Sequence, residues 1–278
     1  MSAAAGSPDW LALCRAAAAD VAAAVAGADM STRAGRSAVV GQGEGGDSTT
    51  AVDALAEAAI LARLERFHAE TGTGLTVVSE EVGERVHGSG GPWRLVVDPI
   101  DGSVNAKRGI PFWSVSIAVA DGSAMGDVAF GYVKDFGSGE EWWAVRGGGA
   151  FLDGAPLGAE LPNEQIEILS LEATLTTRVA SRVPHLVGVA ERLRIMGSLA
   201  LSLCHLAAGR VDAVVSLKEA RSVDIAAAQL LCREVGLALE LFEDPPFAAA
   251  PLDLRGRSRI VAARSADGCA RLAAALRA

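Results

Sequence analysis

Apolar residues recur with a helical period in two segments near the start of the chain. Residues 8–27 predict an alanine-rich helix, and residues 50–69 predict an amphipathic helix with Ser48 or Thr49 as its N-cap. The stretch between them, 31–49, is polar and rich in glycine, which predicts a loop. The first quarter of the chain is therefore expected to be largely helical.

Strand patterns follow, and they later alternate with helical ones. LTVVSE and WRLVVD predict short strands that stop at Glu80 and Asp98, and 112–152 predicts antiparallel strands with glycine-rich turns. From about residue 165, strands are expected at 166–172, 211–217 and 259–263, and helices at 198–208, at 222–236 and at the C-terminus. This order predicts layered sheets and helices in one unit made of two halves that share a cleft. The halves are residues 1–160 and 161–278.

Composition narrows the class of protein. The 278 residues are 50% hydrophobic and carry a net charge of −9, which argues against a nucleic-acid partner or an anionic membrane. A phosphate substrate stays compatible with this charge, because bound metal ions can reverse the local sign. The four cysteines form no CxxC pair, no apolar run is long enough for a membrane span, and the N-terminus has no basic start. We therefore expect a cytoplasmic protein.

The segment VVDPIDGSVNA, residues 96–106, is the most informative for chemistry. Asp98 and Asp101 stand three residues apart at the end of an apolar strand. Two such carboxylates repel each other, and a divalent cation with oxygen ligands would offset that repulsion. The amides of Gly102 and Ser103 would lie where a helix could begin, which is a favourable place for an anion. An isolated DxxDG is more often a solvated turn that caps a helix.

Other acids stand at the ends of predicted elements. Glu80 ends the strand before Asp98, whereas Asp53 and Asp224 lie in the first turns of predicted helices. Each alone is better explained as a loop charge or a helix-dipole partner. Together with Asp101, they match the set of carboxylates that a two-metal site needs.

Six segments resemble the inositol monophosphatase family, in the family's own order from Thr50 to Gly236. They are TAVD (50–53), SEE (79–81), VVDPIDGSVNA (96–106), GGGAFLDGAPL (147–157), LRIMGSLALSLCHLAAGRVDA (193–213) and SVDIAAAQLLCREVG (222–236). RSVDIAAA, SEEVGE and GIPFWSVSIAV resemble the archaeal branch, which acts on fructose 1,6-bisphosphate and inositol monophosphate. The resemblance implies an α+β fold, a layered α-β-α-β-α sandwich. It also implies a Mg²⁺-dependent, lithium-sensitive phosphomonoesterase with two or three Mg²⁺ ions, which forms a homodimer.

The resemblance also implies roles for individual residues. The implied metal ligands are Glu80, Asp98, the carbonyl of Ile100, Asp101 and Asp224. Ser103 and Glu80 would orient the attacking water, with Asp53 behind Ser103 and Thr50 beside it. The implied substrate contacts are Asp101, Gly102, Ser103, Arg194, Gly197 and Ser198. Lys218 and Arg221 lie within six residues of Asp224, so each is either a contact for a second phosphate or an ordinary surface charge.

The sequence leaves several alternatives open. The family also contains histidinol-phosphate and adenosine 3′,5′-bisphosphate phosphatases, and a non-catalytic metal- or sugar-phosphate-binding protein could share the fold. Ser103 replaces the usual Thr, and the 41–47 loop lacks the lysine of many members, which puts a third metal in doubt. Gly41, Gly43 and Gly46 form a literal GxGxxG. However, the next strand ends at Glu80, too far for the ribose-binding acid of a dinucleotide site, so we interpret these glycines as a loop that closes over the site.

Overall fold

Helices and β-sheets alternate along the chain, and a computed structural model describes residues 8–27, 33–44, 48–172, 175–255 and 258–277. The helices are α1 (Trp10–Gly27), α2 (Arg33–Ser37), α3 (Ala51–Thr71), α4 (Ser103–Arg108), α5 (Thr176–Arg182), α6 (Leu199–Ala207), α7 (Ser222–Glu234) and α8 (Ala266–Arg277). The strands are β1 (Val39–Gln42), β2 (Ser48–Thr50), β3 (Leu75–Ser79), β4 (Gly83–His87), β5 (Trp93–Asp101), β6 (Ser114–Ala120), β7 (Val128–Asp135), β8 (Glu141–Val145), β9 (Gly149–Leu152), β10 (Ala155–Pro156), β11 (Ile166–Glu172), β12 (Ala190–Arg194), β13 (Ala213–Ser216), β14 (Ala238–Leu241) and β15 (Ile260–Ala263).

Two sheets carry most of these strands. The larger has eight strands in the order β10-β9-β8-β7-β6-β5-β3-β4, and its pairs are antiparallel apart from β3 with β5. The smaller has five strands in the order β12-β11-β13-β15-β14, and β11 is parallel to both of its neighbours. The chain passes from one sheet to the other between Pro156 and Ile166.

Three apolar cores lie between the two sheets and the helices that cover them. One core lies between α1, α3 and the eight-stranded sheet, and a second lies between the two sheets around α6 and α7. The third lies between the five-stranded sheet and α8. The order of layers is helix, sheet, helix, sheet, helix, which confirms the predicted α+β sandwich. The division into halves at residue 160 stays a prediction.

The central strands are apolar on both faces because each face meets a different helical layer. In β5, Leu95 and Val97 pack in the core with α1 and α3, whereas Val96 packs in the core with α6 and α7. Val77 and Val78 in β3 divide in the same way. This double burial explains why LTVVS and WRLVVD read as continuous apolar runs.

Several local predictions were wrong. The predicted loop 31–49 contains α2 and the β1–β2 hairpin, and residues 45–47, with Gly46 of the GxGxxG, lie outside the described residues. The N-cap of α3 is Thr50, because its backbone N–H donates to the Asp53 carboxylate at 3.1 Å. Strand β5 continues past Asp98 to Asp101, and SEEVGE leads into β4 instead of forming only a loop.

Within the described ranges, no helix combines the length and apolar character of a membrane span.

Gly131 shows how closely α7 packs on the eight-stranded sheet. A Cβ at Gly131 in β7 would lie 2.4 Å from the carbonyl oxygen of Ala227 in α7. We expect Gly131→Ala to lower the free energy of unfolding by about 1–3 kcal/mol, because the backbone of α7 must move. Urea denaturation measures this loss. Gly41→Ala is the control, since its Cβ would meet its nearest neighbour at 4.0 Å; an equal loss in both variants would contradict the packing argument.

Candidate active site

Three carboxylates meet where the eight-stranded sheet contacts the N-terminus of α7. Ser79 pairs with Val97 in the parallel register of β3 and β5, so the next residues, Glu80 and Asp98, lie side by side. Asp224 reaches the same point from the first turn of α7. One oxygen of each carboxylate lies within 4.8 Å of the others. Glu80 therefore lies beside Asp98, although the residues are 18 positions apart in the sequence.

Asp101 lies next to this group because β5 changes its pairing after Asp98. The register with β6 shifts between Asp98 and Asp101, and the Ile100 amide donates to Asp98 Oδ1 at 3.0 Å. The Asp101 carboxylate accepts the Ala200 N–H at 2.8 Å and the hydroxyl of Ser198. Asp101 is thus fixed by the first turn of α6.

Burial makes this cluster electrostatically unfavourable on its own. Asp98, Asp101 and Asp224 are at most 9% exposed. Loss of solvent and the nearby charges of Glu80, Asp101 and Asp224 raise the pKa of Asp98 well above its usual value. Burial also raises the pKa of Glu80 and of Asp101 to about 7. These carboxylates need positive charge to stay ionised together.

Arg221 supplies one positive charge within the protein. It is only 2% exposed, forms an ion pair with Glu80, and places its Nε 3.8 Å from Asp224 Oδ2. Its backbone N–H also donates to Asp224 at 2.6 Å. The interpretation of Arg221 as an ordinary surface charge is therefore wrong, because its side chain is buried among the acids.

The donor set fits a hard divalent cation. One guanidinium does not neutralise four acids, and every side chain of the cluster offers carboxylate oxygen, which Mg²⁺ and Ca²⁺ prefer. The fit rests on the close approach of Glu80, Asp98 and Asp224. Ile100, whose backbone carbonyl is the implied fifth ligand, lies on the wall of the same cavity.

Asp53 forms a second polar group at the cavity wall. Its Oδ2 accepts the backbone N–H and the hydroxyl of Thr50, and Lys107 Nζ lies 3.7 Å away. Its other oxygen, Oδ1, is buried and has no hydrogen-bond partner among the described residues. Asp53 and Ser103 line the same cavity, so a residue with an unused acceptor lies on the wall to which Ser103 also belongs.

Gly102 begins α4 in a conformation that only glycine adopts easily. Its φ is +90°, and a Cβ there would lie 3.0 Å from the Phe112 carbonyl and 3.2 Å from that of Gly197. Asn105 in α4 donates to the carbonyls of Phe112 and Met196 at 2.8 and 2.7 Å. The turn after Asp101 is therefore packed against the segment that precedes α6.

A cavity of about 630 Å³ brings most of the predicted site together. Its walls include Asp53, Glu80, Asp98, Ile100, Asp101, Gly102, Ser103, Gly197, Lys218, Arg221 and Asp224. Thr50 and Ser198 are buried behind the wall, where they hold Asp53 and Asp101. Arg194 is exposed at the end of β12 and is not part of the wall, so its contact with substrate stays a prediction.

Sequence reasoning missed three residues of this site. Asn105 lies in the signature segment and Lys107 directly follows it, but nothing in their spacing distinguishes them from surface residues. Glu172 is a buried acid on the cavity wall at the end of β11. A signal for it existed, because IEILSLE ends in an acid just as the strands before Glu80 and Asp98 do.

Comparisons with known proteins identify the class of this site. The model of the inositol monophosphatase family matches residues 11–277. A fructose-1,6-bisphosphatase/inositol-1-monophosphatase of Methanothermobacter thermautotrophicus is 38% identical over 208 residues, which are 71% of this chain and 72% of the relative. A protein of the same name from Methanocaldococcus jannaschii is 30% identical over 236 residues, 84% of this chain and 87% of that one. A solved inositol monophosphatase-fructose 1,6 bisphosphatase has a TM-score of 0.80 at 26% identity and covers 97% of this chain and 100% of its own.

This chain belongs to the inositol monophosphatase family. Members of the family are metal-dependent phosphatases, so the chain is an enzyme that hydrolyses phosphoric monoesters. The archaeal relatives confirm the resemblance to the branch whose members are named for both fructose 1,6-bisphosphate and inositol monophosphate.

The raised pKa values predict a pH-dependent effect of removing one acid. With divalent ions chelated, we expect Asp98→Asn to be more stable than the wild type at pH 8. Burial and the neighbouring acids raise the pKa of Asp98 in the folded wild type, whereas the unfolded chain ionises near its ordinary pKa of about 4, so ionisation of Asp98 favours the unfolded state as pH rises. The gain should shrink as pH falls to about 5, because the unfolded chain is then much closer to its own pKa and gains less from ionising Asp98. Urea midpoints at both pH values measure it.

The control for this prediction is an acid whose pKa is lowered in the folded protein. The pKa of Asp121 is lowered by its hydrogen bond with Arg146, so Asp121→Asn should lose stability at pH 8. A loss of stability in Asp98→Asn at pH 8 would contradict the crowding of charge at the site.

Proposed function

We propose that this enzyme is a magnesium-dependent phosphatase of small metabolites, with inositol monophosphate and fructose 1,6-bisphosphate as substrates. The observation that carries the proposal is the close group of Glu80 with the two buried acids Asp98 and Asp224. All three line a cavity of about 630 Å³, which has room for a phosphorylated sugar. The names of the archaeal relatives support this choice of substrates. Two Mg²⁺ ions are proposed, with Li⁺ as an inhibitor.

The proposed Mg²⁺ ligands divide between the two ends of the cluster. Glu80, Asp98 and the Ile100 carbonyl would hold one ion, and Asp98, Asp101 and Asp224 would hold the other. When bound, Mg²⁺ lowers the pKa of a water ligand and neutralises charge on the transferred phosphoryl group. Arg221 then serves to limit repulsion among the acids that remain close to Glu80.

The other residues position the reactants. The Ser103 hydroxyl and Glu80 orient the attacking water, with Asp53 as the proposed acceptor behind Ser103. Asp53 lines the same cavity, and its Oδ1 has no partner among the described residues. Thr50 and Lys107 hold the other oxygen of Asp53 in place. The amides of Gly102 and Ser103 bind the phosphate, and Gly197 lies beside the alcohol part of the substrate. Direct attack by water, in line with the leaving oxygen, needs no covalent intermediate.

A binding protein that has lost catalysis is the rival function. Such a protein would lack a ligand or the nucleophile-orienting hydroxyl, whereas Glu80, Ser103, Asp98 and Asp224 are all present and Asp53 retains a free acceptor. The full set of residues supports the catalytic function over the rival. The homodimer, the third metal and the cytoplasmic location stay predictions.

Phosphate release with Mg²⁺, in the presence and absence of Li⁺, tests the proposed function. The substrates are inositol 1-phosphate, fructose 1,6-bisphosphate, histidinol phosphate and adenosine 3′,5′-bisphosphate. NADP is added because a bifunctional NADP phosphatase/NAD kinase of Methanocaldococcus jannaschii is 30% identical over 227 residues, although these are only 38% of that protein. We expect Mg²⁺-dependent, Li⁺-inhibited turnover of the first two substrates. Preferred turnover of another substrate would contradict the substrate assignment, and no turnover at all would favour the binding protein.

Asp98→Asn provides the matching loss of function in the same assay. We expect kcat to fall by about 10³-fold or more, because a missing ligand charge costs several kcal/mol of transition-state stabilisation. Asp135→Asn is the control, since Asp135 is equally buried (3% exposed) but holds only the turn at the end of β7. Near-normal activity in Asp98→Asn would rule out its role as a metal ligand.

Lys218 is the proposed contact for a second phosphate. It is half-buried on the cavity wall and forms no ion pair within the described part of the chain, whereas Arg221 is held by acids. Lys218→Ala should raise KM about tenfold for fructose 1,6-bisphosphate, which corresponds to about 1.4 kcal/mol. KM for inositol 1-phosphate should change little, and Lys134→Ala on β7 serves as the control. Equal changes for both substrates would exclude this contact.

A further inference from the structure

Glu172 is a buried acid on the cavity wall that the proposed mechanism does not use. It ends β11 in the five-stranded sheet, is 6% exposed, and faces the segment that leads into α6. Within the described residues it forms no ion pair, and its neighbours are hydrogen-bond donors without charge. Burying a carboxylate without a nearby cation costs free energy of desolvation, unless its oxygens accept enough hydrogen bonds to replace the lost water.

Both carboxylate oxygens of Glu172 accept hydrogen bonds, either from backbone N–H groups or from serine hydroxyls. Oε2 accepts the N–H of Gly197 at 2.9 Å, and Oε1 accepts the N–H of Met196 at 3.4 Å. The hydroxyls of Ser202 and Ser170 donate to Oε1 at 2.7 and 3.1 Å. Two of these four donors are consecutive amides of one loop, so the carboxylate holds the loop directly.

The same loop is held from the opposite side by the end of β5 and by α4. Asn105 donates to the Met196 carbonyl at 2.7 Å, and the Ser198 hydroxyl donates to Asp101. The loop 196–198 therefore spans the two sheets, with Glu172 on one side and Asp101 and Asn105 on the other. Gly197, the proposed neighbour of the substrate alcohol, lies at its centre.

We propose that Glu172 is a positioning residue, which fixes the loop 196–198 so that Gly197 presents the correct surface to the non-phosphate part of the substrate. The inference rests on the proposed function. Because the loop contacts the alcohol and the metal-binding acids contact the phosphate, loss of Glu172 acts mainly on substrate affinity. A residue that only stabilised the fold would lower stability without changing KM.

The steady-state test uses Glu172→Ala and Glu172→Gln with inositol 1-phosphate. KM should rise about tenfold in Glu172→Ala, with kcat changed less than about threefold, because ground-state binding is lost more than transition-state stabilisation. Glu172→Gln should restore KM to within about threefold of the wild type. Its amide oxygen still accepts from Gly197, and its NH₂ group can donate to a serine hydroxyl.

Asp212 offers a matched control in the same sheet. It is 5% exposed, and its carboxylate accepts the backbone N–H groups of Asn163, Glu167 and Ile168 at 2.9–3.0 Å. These contacts lie near the other end of β11, about 13 Å along the strand from Glu172. Asp212→Ala should lower the melting temperature but leave KM unchanged. An equal rise of KM in Asp212→Ala, or an unchanged KM in Glu172→Ala, overturns the proposal.

Amide hydrogen exchange tests the loop independently of activity. The peptide that contains Met196 and Gly197 should exchange faster in Glu172→Ala than in the wild type, because two amides lose their acceptor. Unchanged exchange overturns the proposal even when KM is altered, whereas a wild type that hydrolyses no substrate refutes only the proposed function. If Glu172→Ala does not fold, Ser202→Ala and Glu172→Gln replace it, with a smaller increase in exchange expected in each.

Discussion

The structure depends on holding several carboxylates close together in a site that is largely shielded from water. Glu80, Asp98 and Asp224 come from β3, β5 and α7, and the layered packing of these elements brings their oxygens within 4.8 Å. Hydration is lost and repulsion is high, so the pKa of Asp98 rises strongly. The rest of the fold supplies the compensation through Arg221, through backbone N–H groups and through the geometry that suits a divalent cation.

The first turn of α6 links this charged cluster to the second sheet. The Ala200 N–H and the Ser198 hydroxyl donate to Asp101, while the loop just before α6 is bound by Glu172 of the five-stranded sheet. Two buried acids from different sheets thus define the position of one short segment. The cavity lies at this junction, so its shape depends on how the two sheets are held relative to α6.

Central elements could be predicted from the sequence, whereas edge elements could not. The runs that form β3, β5, β6 and β7 are apolar because both faces of these strands are covered by helices. Apart from the β1–β2 hairpin, the strands that escaped prediction, β4, β12 and β14, are edge strands of the two large sheets. Edge strands carry charges such as Glu84, Arg85 and Arg192, which discourage pairing with other chains but also hide the strand pattern.

The site divides in the same way between sequence and tertiary structure. Sequence alone determined the signature at Asp98 and Asp101, the candidate acids near the ends of the predicted elements, and the family to which the chain belongs, because each of these features is carried by a short run of consecutive residues. Only the tertiary structure decided that Arg221 is buried against Glu80, that Arg194 stands outside the cavity, and that Glu172 holds the loop before α6. These contacts join residues 25 to 141 positions apart or depend on which side of a strand faces the cavity. Such contacts are set by the packing of the layers and leave no periodic signal in the sequence.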